Sequence, residues 1–295
     1  MWQLVASLAM VSSVVGGEPI SKDVFLHLTQ MGVPLQSGQM VRLPAPVLPD
    51  GLDAPQQAEI LKRVAGKFPL DRFLRDAVVS PFVLEIESIG GEGQRGGQRV
   101  DFYFVAYGTR KALLAEGLFS DLVGAREEKS SGSEPWSTHT LTPEELAARK
   151  LVVRETPELS ESFVAVDVPI LERVQLQGVG IGVKQQNADS LVGAWMLDPR
   201  FQGDSQFPNQ WRPILRDQAG RMSLGEATPY AGLGGYTKLT WLHEPAGAVL
   251  VECHAAFDEP HGWFEGKNFL RSKLPLVVQD NVRDFRRKLA KRSKE

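Results

Sequence analysis

The chain has 295 residues, 42% of them hydrophobic and 23% charged, enough apolar material to bury a core without covalent staples. A formal net charge of -3 excludes a whole-surface attraction for nucleic acid, which needs a strong basic excess. The single cysteine, Cys253, excludes an intramolecular disulfide and any cysteine-cluster metal site.

Leu4 to Val15 is an uncharged, mostly apolar run that ends in small residues before Glu18 and Pro19. With Val14 and Gly16, or Val15 and Gly17, before a cleavage point, residues 1–17 have the outline of a signal peptide, although their n-region carries no side-chain charge. The run is shorter than the roughly 20 apolar residues of a spanning helix. The expectation is an exported protein, periplasmic or secreted, with no transmembrane segment once cleaved, and with residues 18–295 as a single domain.

Asp23 to Val33 suits a short helix, and the prolines between Pro44 and Pro49 force extended chain. A capping box of Asp53 and Gln56 starts a helix whose stripe of Ile60, Leu61 and Val64 stops at Gly66. A second helix is expected over Pro69 to Val79. The texture then turns to period two: Phe82, Leu84 and Ile86, then Val100, Phe102, Phe104 and Ala106, predict a hairpin with a Gly-rich tip at 90–98. Ala125 to Thr140 is polar apart from Trp136 and reads as a flexible insertion where the domain is open to subdivision. Thr142, Pro143 and Glu145 form a second capping box, with Leu141 placed to staple onto Leu146.

From Phe163 the pattern is a β-meander: Phe163 to Ile170, Arg173 to Lys184 and Leu191 to Asp198. Gly178, Gly180 and Gly182 leave one face of the middle strand bare, for a bulky neighbour such as Trp195 or for a ligand. Pro199 to Pro229 reads as a long polar loop that covers something. Two more strands, Tyr236 to His243 and Ala248 to Phe257, flank a turn at Glu244–Gly247. Pro275 to about Lys291 is a long amphipathic helix with Leu274, Val278, Val282, Phe285 and Leu289 on its apolar stripe. Its cations, Arg286, Arg287, Lys288, Lys291, Arg292 and Lys294, are read as solvated and matched to the helix dipole.

Glu252 and His254 share one strand face, a pairing open to metal-assisted hydrolysis, although no third ligand stands at a recognised spacing and alternating polar residues are ordinarily a sheet's wetter side. Cys253 falls on the apolar face as a small hydrophobe. Trp263, Phe264 and Phe269 either gate a pocket or fasten the last helix to the sheet. Serine-nucleophile, Walker, dinucleotide and His-Glu-x-x-His motifs are absent. No catalytic residue, metal or cofactor is assigned.

Helices, then an antiparallel meander, then a long C-terminal amphipathic helix packed on the sheet define an α+β class. From about Pro81 to Lys291 this order resembles the START-like, helix-grip lipid-binding domains. The resemblance implies a hydrophobic small molecule or lipid held between the sheet and the C-terminal helix, with Trp195, Trp241, Glu252, His254, Trp263 and Phe264 as candidate ligand residues. A non-catalytic structural or protein-binding role is the third reading.

Overall fold

The computed structural model describes residues 23–90, 96–114, 137–264 and 269–295. The expected leader, the hairpin tip at 91–95 and the expected insertion over 125–136 lie outside the described residues. Among those described, no helix is long and apolar enough to cross a membrane.

The N-terminal part follows its local signals. Asp23 caps α1 (Val24–Gln30), accepting from the Leu26 amide. A short ladder of β1 (Val33–Pro34) and β2 (Met40–Val41) follows. The Asp53–Gln56 capping box is formed at the start of α2 (Ala54–Ala65), which ends at Gly66 with φ +57. The next helix, α3 (Leu70–Phe73), is much shorter than the expected Pro69 to Val79. The Tyr107 hydroxyl takes the Leu74 carbonyl and the Ser80 hydroxyl takes that of Arg75, so side chains occupy the acceptors a longer helix would use. Pro81 and the β-branched pair Val78–Val79 also disfavour continuation.

The period-two segments pair into one antiparallel sheet of eleven strands among the described residues. β3 (Phe82–Ile89) and β4 (Gly97–Tyr107) form the expected hairpin, with Phe82 opposite Phe104. After α4 (Arg110–Leu114), Ser137–Thr140 is a strand, β5, and not loop. Its Thr138 pairs with Val166, and its polar sequence suits a strand paired on one side only. The second capping box starts α5 (Pro143–Ala147). Leu141 and Leu146 are both buried in the same apolar cluster.

β6 (Leu159–Ile170), β7 (Val174–Gln186) and β8 (Ser190–Leu197) make the meander. A 3-10 turn at Pro199–Phe201 leads into the segment read as loop, which instead holds β9 (Gln210–Arg216), β10 (Met222–Leu224) and β11 (Thr228–Pro229). β9 pairs with the first residues of β7, Trp211 opposite Leu176, and Pro213 is tolerated near this margin of the sheet. β12 (Leu233–Trp241) and β13 (Ala248–Asp258) complete the order β6-β7-β8-β12-β13-β4-β3. The chain ends with α6 (His261–Phe264) and α7 (Phe269–Arg292). α7 starts upstream of the expected Pro275 because Leu270 and Leu274 carry its apolar stripe onto the cluster of Trp211, Tyr230, Trp263 and Phe264.

Both faces of the sheet are covered. On one, Val278, Val282, Phe285 and Leu289 of α7 pack on Phe104, Leu239, Val249 and Val251. Arg286, expected in solvent, is buried, and its guanidinium donates to the carbonyls of Val78, Ser80, Pro81 and Val105. On the other face lie α1, the irregular residues 44–50 and α2. The alternating glycines are not Trp195's doing. A Cβ at Gly178 would come within 2.8 Å of the Asn209 side chain, whereas Trp195 stands 3.2 Å from where a Cβ of Gly235 would be.

Two turns use side-chain-bearing residues where glycine is cheaper. Lys150 (φ +58) terminates α5, with the amides of Lys150 and Leu151 returning to Ala147 and Leu146. Glu172 (φ +54) sits in the three-residue turn Leu171–Arg173 between β6 and β7. Lys150→Gly and Glu172→Gly are each expected to stabilise by about 0.5–1 kcal/mol, read from denaturant midpoints, because the left-handed conformation penalises a Cβ.

Candidate functional site

Residues Pro44 to Asp50 form a strap across the sheet face opposite α7. Its prolines restrict it, and it bends at Val47–Leu48 so that both amides face Glu252. Beneath it the side chains of alternate strand residues meet: Glu252 and His254 from β13, Lys238 and Tyr236 from β12, Asp101 and Tyr103 from β4, with Glu252 opposite Lys238 and His254 opposite Tyr236 and Asp101 in the ladder. This is not the wetter side of the sheet. Glu252 and His254 are 0% and 1% exposed, because the strap takes the place of solvent.

The cluster is held by directed contacts, with His254 Nε2 the buried atom left without a hydrogen bond. Glu252 accepts from the Val47 amide at 2.7 Å and the Leu48 amide at 3.4 Å. Lys238 Nζ donates to the Leu48 carbonyl at 2.7 Å and pairs with Asp50 at 2.7 Å. The Tyr236 hydroxyl donates to the Pro44 carbonyl at 2.7 Å. His254 Nδ1 lies 2.7 Å from Asp101, while Nε2 lies 3.7 Å from Glu252. Burial opposes the imidazolium, yet Asp101 and Glu252 outweigh it and raise the ring above its ordinary value. The two carboxylates therefore address different ring nitrogens and do not converge on one point. Among the described residues no group of three His, Cys, Asp or Glu side chains is arranged to hold a metal ion.

Beside this cluster a groove of about 400 Å³ opens between α2 and the sheet. Tyr103 and Val83 form its floor, Ile60 and Val64 of α2 one wall, and Val47 of the strap the other, with Arg63 and Glu85 also lining it. α2 is fixed at its far end by the buried Gln57, which accepts from the His243 amide and donates to the Trp241 carbonyl. The ring of Tyr103 stands edge-on to His254 at 5.5 Å. Burial first, then the charges of Asp101, Glu252 and Glu85, push its phenol well above the usual range, so it stays an O–H donor. A smaller cleft of about 150 Å³ lies between α7 and residues 78–82.

The six candidate ligand residues fall in separate places. Glu252 and His254 are under the strap. Trp195 is half-buried on the α7 face, and Trp241, at the end of β12 on the same face, carries Arg110 over its ring at 4.6 Å. Trp263 and Phe264 are buried in α6, packed with Trp211 and Tyr230, so they fasten the end of the sheet to α7. Cys253 is buried on the α7 face, with its thiol pushed up to about 12 by burial. The groove residues Val47, Ile60, Val64 and Val83 were missed as a site; the signal available was a Pro-rich strap beside an amphipathic helix.

No family model matches the chain, and no curated protein sequence does. Among solved structures the chain is similar to the human StarD13 (DLC2) lipid transfer and protein localization domain, with TM-score 0.39 and 7% identity over 81% of this chain and 98% of that one. It is also similar to human STARD10, with TM-score 0.32 and 9% identity over 80% of each chain. The architecture, an antiparallel sheet with a C-terminal helix across it, is the α+β class expected from element order.

Proposed function

We propose that the protein binds an apolar small molecule or a single lipid chain in the groove between α2 and the sheet. The observation that carries this is the groove itself: about 400 Å³, lined by the half-buried Val47, Ile60, Val64 and Val83, with the Tyr103 phenol in its floor. Arg63 and Glu85 line it as well, so aliphatic walls stand beside two oppositely charged side chains and a phenol, and the volume falls within the roughly 300 to 1,000 Å³ of small-molecule sites. The proposed site lies on the opposite face of the sheet from α7, whose apolar stripe is occupied by Phe104, Val249 and Val251.

Titration with a fluorescent long-chain fatty acid tests the reading. The parent is expected to bind saturably, and Val64→Trp, which fills the groove from the helix side, to weaken binding by about tenfold or more. Equal binding by the two proteins, or none by the parent, would overturn it.

A further inference from the structure

Among the described residues no backbone–backbone hydrogen bond ties 44–50 to the sheet. The contacts that do run through side chains: Glu252, Lys238 and Tyr236 hold Pro44, Val47, Leu48 and Asp50, and the Ser190 hydroxyl of β8 donates to Asp50 at 2.9 Å. Val47 is both a residue held by Glu252 and a wall of the groove. Resting on the groove as the ligand site, we propose that the strap is its movable wall, seated by a protonated His254 and released when that proton leaves.

The charges facing His254 give the direction. Asp101 and Tyr103 face it from β4, Tyr236 and Lys238 from β12, Glu252 from its own strand, and Asp50 lies above on the strap. Arg99 pairs with Asp101 from the same strand and with Glu87 of β3, two residues along from Glu85 on the same face. With His254 charged, the carboxylates of Asp101, Glu252 and Asp50 are balanced by His254, Arg99 and Lys238. With it neutral, the Nδ1 hydrogen still serves Asp101, but Nε2 turns a lone pair toward Glu252 at 3.7 Å. The group that anchors the strap is then a buried carboxylate with one cation fewer.

The folded-state value of His254 is raised, so the native protein holds this proton more tightly than the unfolded chain. Its contribution is fully present below about pH 6.5 and fades as pH rises through the folded value. Global melts do not isolate it, because burial lifts Asp258 to about 6 and that carboxyl titrates in the same range.

The test is amide hydrogen exchange at Val47 and Leu48, corrected for intrinsic pH dependence and referenced to the Leu250 amide, between about pH 6 and about pH 9, alongside ¹⁵N shifts of the His254 ring. The expected result is a ring that titrates, with strap protection falling about tenfold or more as it does. Glu252→Gln, which carries no charge, should show lower protection that no longer follows pH. A ring that keeps one protonation state, or strap protection that stays constant while the ring titrates, would sink the latch, and the wild-type data alone decide this. Fatty-acid binding measured at the acidic end judges the groove separately: no binding there with a titrating strap rejects the ligand site and leaves the latch standing.

Discussion

Phe285→Asp is expected to cost about 3 kcal/mol or more, while Arg287→Asp, two residues along, costs about half a kcal/mol. Phe285 is 2% exposed and stands edge-on to Phe104 with ring centroids 5.6 Å apart. An aspartate there loses the aromatic packing and places a carboxylate among Val249, Val251, Val282 and Leu289, while the Arg286 guanidinium over the same Phe104 ring is already committed to four carbonyls. Arg287 points to solvent and pairs with Asp284 at 3.2 Å, a surface contact of small worth. Denaturant melts of the two variants form a matched pair. Equal midpoints would mean that α7 does not grip the sheet through this stripe.

Arg286→Met is expected to be nearly as damaging, about 3 kcal/mol, although it removes a buried charge. Burial pushes the guanidinium down to about 10, so the charge itself is held at a cost. Against that stand four carbonyl acceptors: Ser80 at 2.6 Å, Val105 at 2.9 Å, and Val78 and Pro81 at 3.1 Å. A methionine fills the space over the Phe104 ring, where the guanidinium now sits at 5.4 Å, but leaves those carbonyls without donors. Arg286→Lys should recover only part of the loss, since an ammonium cannot span four acceptors set around a planar fork. A methionine variant with parental stability would show that the carbonyls are satisfied by water.

The elements legible in the sequence are those whose signal is local. Two capping boxes, Asp53 with Gln56 and Thr142 with Glu145, mark α2 and α5, and alternation marks β3, β4, β6 and β13. The stripe of α7 is legible because Val278, Val282, Phe285 and Leu289 recur at helical spacing. What the sequence does not show depends on distant chain. Ser137–Thr140 is a strand only because Val164–Asp167 offers it an edge, and Gln210–Arg216 only because β7 extends past the end of β8. Arg286 looks like its solvated neighbours until the turn at Val78–Pro81 presents its carbonyls. Glu252 and His254 were singled out correctly as a shared face, but their burial comes from the strap about 200 residues earlier, a contact with no local trace.

The same long-range pairing sets the order in which the protein can be made. β4 lies against β13, Phe104 opposite Val251, about 150 residues later in the chain. A nascent chain therefore carries the β3–β4 hairpin, with Phe102, Phe104 and Val105, before its sheet neighbour exists. The strap waits as well, since Lys238 and Glu252, which hold it, belong to β12 and β13. Completion of the sheet is thus a late event that follows synthesis of residues 248–258, and until then the N-terminal third is open to whatever factors receive chains as they leave the ribosome.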